Sequence, residues 1–191
     1  MRHSFWEDAM SRLPELRYEQ MTAEQQRIHD EIAAGPRGQV VGPLEPWLHA
    51  PGLADHAQKL GAYLRFRSAL PPALAELAIL VTARHWQSEF EWHAHARLAR
   101  AAGIPEAVIE AIRTDAEPAL ADLRSRAVHA LARELFATRT LSDATYAAAE
   151  AALGQRALVD LVGLLGYYAL VSMTLNAFAV PTPDGSHPFA D

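Results

Sequence analysis

Glu76, Ser88, Glu91 and His95 are the residues of this chain whose types and spacing can do proton chemistry. Between Arg67 and Arg84 the only charged residue is Glu76, and its neighbours one and two turns on, Ile79, Leu80 and Ala83, form an apolar stripe. A helix here projects Glu76 from a face that should be buried. A buried carboxylate is costly unless paired or protonated, and its pKa tends to rise. On the following segment, at about 100° per residue, Ser88, Glu91 and His95 fall within about 60° of one another. Trp92, Ala99 and Ala102 share that inward side, while Glu89, His93, Arg97 and Arg100 fall on the opposite face, which reads as solvent. Glu91 and His95 are an i,i+4 pair and can touch. An acid and an imidazole held together in a poorly solvated place are a general acid/base arrangement. The structural alternatives are a Glu hydrogen-bonded across the core and a Glu–His pair that holds an interface.

His93 and His95 are two apart and point opposite ways on a helix, so they do not form a metal pair; zinc sites on helices favour His at i,i+4. His85 lies one turn before Ser88 and could join the cluster, but a His85, Glu91, His95 metal centre is a minor alternative, and no metal is expected. His129 is expected on a helix surface. An anionic substrate needs a cationic contact, for which Arg84 sits beside the motif and Arg65 and Arg67 end the preceding segment. Each of these is equally a solvated helix end. Trp86 and Trp92 could wall an unsaturated ring, or serve as core aromatics. Tyr168 and Asn176 point to one side of the last helix, where pocket lining and core hydrogen bonding are both open to them.

The elements that position these residues read as helices separated by Gly and Pro. The chain has 191 residues, is 50% hydrophobic, and carries a net charge of −6. That balance argues against a nucleic-acid or membrane-surface binder. Alanine, the best helix former, makes up about a fifth of the chain. There is no cysteine, so disulfides, thiolate metal sites and Cys nucleophiles are excluded. Thr22 with Gln25 resembles a capping box that opens a helix ending near Gly35-Pro36. Gly35 to Pro46 is a breaker-rich loop. Helices are expected over about 53–68, 71–85, 88–102, 105–113, 118–137, 142–153 and 155–178. The expected fold is all-α, a bundle of about seven or eight helices, with residues 1–50 a helical appendage and loop and 51–191 the main domain. Leu161 to Pro183 carries no formal charge and approaches membrane-spanning length. Tyr167, Tyr168, Ser172, Thr174 and Asn176 interrupt it, so a helix buried in a core or oligomer is expected, with no membrane partner. The first ten residues show no signal-peptide pattern, and the expected location is cytoplasmic.

At Glu76, Ser88, Glu91 and His95 the chain resembles the carboxymuconolactone decarboxylase family of the alkylhydroperoxidase-like superfamily. In the peroxidase branch a Glu precedes a Cys-x-x-Cys, and a His follows four residues later. Here both cysteine positions are replaced, by Ser88 and Glu91, and the Glu-x-x-x-His form is similar to the decarboxylase branch. Residues 97–112 (RLARAAGIPEAVIEAI) and the later helices from Leu141 resemble the family too, so that the likeness covers about 53–180 as a longer, cysteine-less member.

The resemblance implies a cofactor-free carboxy-lyase of aromatic catabolism that acts on 4-carboxymuconolactone or a similar carboxylated unsaturated lactone. In that reading His95 donates the proton, Glu91 holds and tunes its ring, and Glu76 shuttles a proton or orients His95. Ser88, His85, Trp86, Trp92, Arg84 and Tyr168 are the candidate substrate-binding residues. Thiol peroxidase chemistry is excluded, because it needs an attacking and a resolving thiol. Alternatives on the same scaffold are an isomerase, a dehydratase or a lactone hydrolase. A non-catalytic oligomeric binding protein would instead leave the three groups satisfied by one another, with no adjoining cavity. The apolar last helix and the family likeness both imply a homo-oligomer, a trimer or hexamer, whose only other partner is a small-molecule substrate.

Overall fold

A computed structural model describes residues 11–190. The reading of the first ten residues, including the signal-peptide pattern, lies outside the described residues, as does the start of the expected N-terminal appendage. Among the described residues there are nine α-helices and no strand. They are α1 (Ala23–Ala34), α2 (Leu44–Leu48), α3 (Pro51–Phe66), α4 (Pro72–Trp86), α5 (Glu89–Ala101), α6 (Glu106–Arg113), α7 (Leu123–Thr138), α8 (Asp143–Leu153) and α9 (Gln155–Ala177), preceded by a 3₁₀ turn at Tyr18–Gln20. The all-α reading holds, and most boundaries fall within two or three residues of those expected.

Local chemistry explains the ends. Thr22 and Gln25 form the full capping box of α1. Pro51 and Pro72 open α3 and α4, where a missing N–H costs nothing. Ser142 caps α8 through the Thr145 amide.

Two boundaries differ from expectation. The helix expected from Pro118 begins at Leu123, because the Asp122 carboxylate accepts the Ser125 amide at 3.0 Å and makes Asp122 the cap. The end of the Gly35–Pro46 loop is helical instead: α2 buries Leu44, Pro46, Trp47 and Leu48, and the Trp47 indole N–H donates to Thr174 Oγ1 of α9 at 3.0 Å. Tertiary burial overrides the breaker-rich composition there.

α4 is the hub of the bundle and packs on α9, α5 and α7. Apart from Glu76, its stretch from Leu74 to Ala83 is buried throughout, which suits a helix enclosed by three others. Asp160 of α9 is buried and ties down the end of α3: Tyr63 donates to Oδ1 at 2.8 Å and the Ala69 amide to Oδ2 at 2.7 Å. α9 is long and apolar enough to cross a membrane, with mean hydropathy 1.7, and 61% of that window is buried inside the protein.

His129, expected on a surface, is buried in α7 instead. It packs where α7 meets α4, with Glu117 3.8 Å from Nδ1, and burial lowers its pKa.

Candidate active site

α4 and α5 are joined by a sharp reversal. Gln87 takes a left-handed conformation (φ 48°), and the Ser88 amide reaches back to the Ala83 carbonyl at 2.9 Å. The reversal lays α5 against α4 and brings their polar residues face to face. His95 Nδ1 lies 2.7 Å from Oε2 of Glu76 on α4. His95 Nε2 lies 3.3 Å from Oε2 of Glu91, one turn back on α5. Glu91 and His95 are each 4% exposed. A carboxylate only accepts, so the Nδ1 that faces Glu76 carries its hydrogen. That leaves Nε2 facing Glu91 Oε2.

Burial pushes the Glu91 carboxyl above its ordinary value, while His95 and the guanidiniums of Arg65 and Arg37 pull it back. Glu91 Oε2 is buried and makes no hydrogen bond among the described residues: its approach to Nε2 is close enough for an ion pair but off-axis. An acid with a raised pKa and an unused lone pair, beside an imidazole locked in one tautomer, can give or take a proton.

These groups border a cavity of about 300 Å³, at the small end of small-molecule sites (about 300–1,000 Å³). Glu91 and His95 meet Tyr167, Tyr168 and Val171 of α9 there, with Arg65 at the end of α3, Arg97 of α5, and Arg37 from the α1–α2 loop. The Tyr168 ring stands edge-on to His95, 5.1 Å between centroids. Burial raises the pKa of both tyrosines, Tyr168 well above 10.0, which keeps them neutral hydrogen-bonding groups.

The predicted residues divide. Glu76, Glu91, His95 and Tyr168 come together. Glu76 sits behind the imidazole rather than on the cavity wall, since its carboxylate is turned to Nδ1. Five others lie off the wall. Ser88 is wholly buried at the head of α5, and its hydroxyl has no hydrogen-bond partner among the described residues. Trp92 is core, edge-on to Phe189 at 5.3 Å, and the Arg84 guanidinium lies over that same ring. Trp86 is half-buried, and its carbonyl accepts from Asn176 at 2.7 Å. His85 is exposed and stacks on Phe136 of α7 at 4.6 Å. It leaves the cluster because the turn at Gln87 puts it on a different helix from Glu91 and His95. Among the described residues no group of three or more His, Asp or Glu is arranged to hold a metal ion.

The solvent face read for α5 is also only partly so. The C-terminal segment crosses it, with His187 Nδ1 2.9 Å from Glu89 and His93 Nδ1 3.4 Å from Asp184. Arg97 stands exposed at the cavity mouth. Sequence reasoning missed Arg37 and Tyr167. The available signal was that Arg37 is the only charged residue between Glu31 and Glu45.

The Carboxymuconolactone decarboxylase family model matches residues 51–134, from the start of α3 into α7. That span contains Glu76, Glu91 and His95. No curated protein matches the chain. Among solved structures, an alkylhydroperoxidase AhpD core, described as an uncharacterized peroxidase-related protein from Ralstonia eutropha JMP134, superposes with a TM-score of 0.75 over 94% of each chain at 16% identity. At that identity the likeness is one of fold. Residues 51–134 are thus similar to the carboxymuconolactone decarboxylase family, and the chain has a helical fold of the alkylhydroperoxidase AhpD kind.

Proposed function

We propose that the protein is a cofactor-free carboxy-lyase that removes CO2 from a small carboxylated, unsaturated lactone such as 4-carboxymuconolactone. The observation that carries this reading is the buried chain Glu76–His95–Glu91 ending on a cavity whose remaining polar groups include three arginines. Loss of CO2 leaves an electron pair that the conjugated lactone carbonyl accepts as a dienolate, which must then be protonated. The pair formed by His95 Nε2 and Glu91 supplies that proton. Glu76 stabilises the ring while that charge moves, and the arginines hold the anionic substrate and the developing oxyanion. A cavity beside the three groups also favours catalysis over a purely structural role.

The similar AhpD-core structure is that of a peroxidase-related protein, but this chain has no cysteine and therefore no thiol route to peroxide reduction. An isomerase, a dehydratase or a lactone hydrolase would use the same proton-transfer groups.

The test is turnover of 4-carboxymuconolactone, followed by substrate absorbance and CO2 release, in wild type and His95→Ala. Loss of an acid/base group removes about 10²–10⁴-fold, so turnover should fall at least a hundredfold in the variant. Absence of turnover by folded wild type sinks the decarboxylase reading. A loss below threefold in both His95→Ala and Glu91→Ala sinks the assignment of roles.

A further inference from the structure

Tyr167 of α9 is 4% exposed, yet it borders the same cavity as Glu91 and His95. Its ring is fixed by two others that stand edge-on to it, Trp47 of α2 and Tyr168, with centroids 6.1 Å and 5.4 Å away. Its hydroxyl passes over Gly61 of α3, where a Cβ would collide with the Tyr167 oxygen and the Arg37 guanidinium. The missing side chain at Gly61 is what lets these two groups meet.

Arg37 reaches that point from the α1–α2 loop. The loop is held in place at Gly42 (φ 64°), where a Cβ would run into the Phe90 ring of α5. Arg37 Nη2 donates to the Tyr167 oxygen at 3.4 Å. A guanidinium only donates, so the phenol is the acceptor in this contact. Its own hydrogen goes to no acceptor among the described residues. A cation on the phenol oxygen draws electron density from it and makes the O–H a stronger donor. Burial raises the pKa of Tyr167, and Arg37 offsets this only in part. The hydroxyl therefore keeps its hydrogen at neutral pH.

We propose that Tyr167 is a catalytic hydrogen-bond donor: its O–H, polarised by Arg37, binds the lactone oxygen on which charge collects when CO2 leaves. This rests on the proposed decarboxylation. The bond from carbon to the carboxylate breaks, and its electron pair moves through the conjugated system onto the carbonyl oxygen. Tyr167 lends its hydrogen to that oxygen without transferring it. The His95–Glu91 pair then delivers a proton to carbon, and the carbonyl double bond re-forms. Tyr167 suits the first task because its hydrogen is unengaged, whereas Glu91 and His95 face each other. Arg37 is a positioning residue that acts through the phenol. A donor whose partner gains charge only in the transition state acts on kcat more than on KM.

Tyr167→Phe keeps the ring and removes the hydroxyl. With 4-carboxymuconolactone its kcat should fall about 10²–10³-fold, with KM little changed. Arg37→Leu should lower kcat in the wild-type background and add little in the Tyr167→Phe background, since both changes remove one interaction. A binding test needs no turnover. Tetronate is the enolate of a five-membered lactone, and 2(5H)-furanone is a neutral unsaturated lactone of the same ring. By calorimetry, Tyr167→Phe should bind tetronate about 10–100-fold more weakly than wild type does, with furanone binding nearly unchanged. If Tyr167→Phe loses its helical circular dichroism, Arg37→Leu carries both tests, with losses of the same sign. Failure of wild type to bind tetronate overturns the proposal. So does a folded Tyr167→Phe that keeps kcat or tetronate affinity within about threefold of wild type. Should wild type turn over no lactone while Tyr167→Phe still loses tetronate selectively, the decarboxylase reading fails and the enolate-binding role of Tyr167 stands.

Discussion

Glu76 Oε2 and His95 Nδ1 meet at 2.7 Å across 19 positions and a helix reversal. The contact sets the tautomer of His95, and with it the nitrogen that faces the cavity. Glu76→Gln keeps the shape and removes the charge. A hydrogen bond to a charged group is worth about 1.5–3 kcal/mol, so its loss in the transition state lowers kcat about 10–100-fold, with KM nearly unchanged. The acid limb of the kcat–pH profile should move with it. A lower melting temperature with an unaltered profile and kcat would make Glu76 a packing residue only.

Glu91 gives the fold a pH dependence of definite sign. Burial raises its pKa above the ordinary 4.5, so in the window between that value and the raised one the folded protein keeps a proton that the unfolded chain releases. This contribution to stability is complete below 4.5 and is lost as pH climbs through the raised pKa. Glu91→Gln cannot ionise and lacks the slope. The melting temperature of the variant minus that of wild type should therefore increase from about pH 5 to pH 8. A difference that stays constant over that range contradicts the buried-acid assignment.

Most of the fold was legible because its signals are local. Thr22 with Gln25, Ser142, and the prolines before α3 and α4 mark helix ends through contacts within a few residues. The Glu91–His95 pair was legible for the same reason, since i,i+4 spacing fixes contact on any helix. Glu76 joined them through its isolation on an apolar stripe. What failed depends on direction across the turn at Gln87. Counting on from His85 to Ser88 assumes one continuous helix, whereas the reversal sends His85 toward Phe136 and seals Ser88 in the core. Trp92 and Arg84 were read by proximity in sequence, but they pack on Phe189, far along the chain. Arg37 belongs to a loop whose position is set by Phe90, Gly61 and Tyr167, and no local pattern encodes that meeting.

Gly61 should resist substitution although it lies inside a helix. On an open helix Gly→Ala gains roughly 0.5–1 kcal/mol. Here the added methyl would press on the Tyr167 hydroxyl and the Arg37 guanidinium, and overpacking costs about 1–3 kcal/mol. Gly61→Ala should thus show a net loss of stability in urea. A gain of stability would mean that the two side chains move aside freely.

The outward side of α9 is apolar along its length. Val159 is 72% exposed, Val162 43% and Met173 44%. With Gly163, Gly166 and Leu170 they recur at the three- and four-residue spacing of one helical face. A contiguous stripe of this kind is uncommon on a monomer, and its glycines allow close approach of another backbone. The face is therefore expected to be covered by a second copy of the chain. Light scattering at micromolar concentration should give a multiple of the 20.9 kDa chain mass. Val159→Glu with Val162→Glu should shift that mass toward the monomer while the helical circular dichroism persists, since neither side chain supports the core. A monomeric wild type, or an assembly that two buried charges leave intact, would place the contact elsewhere.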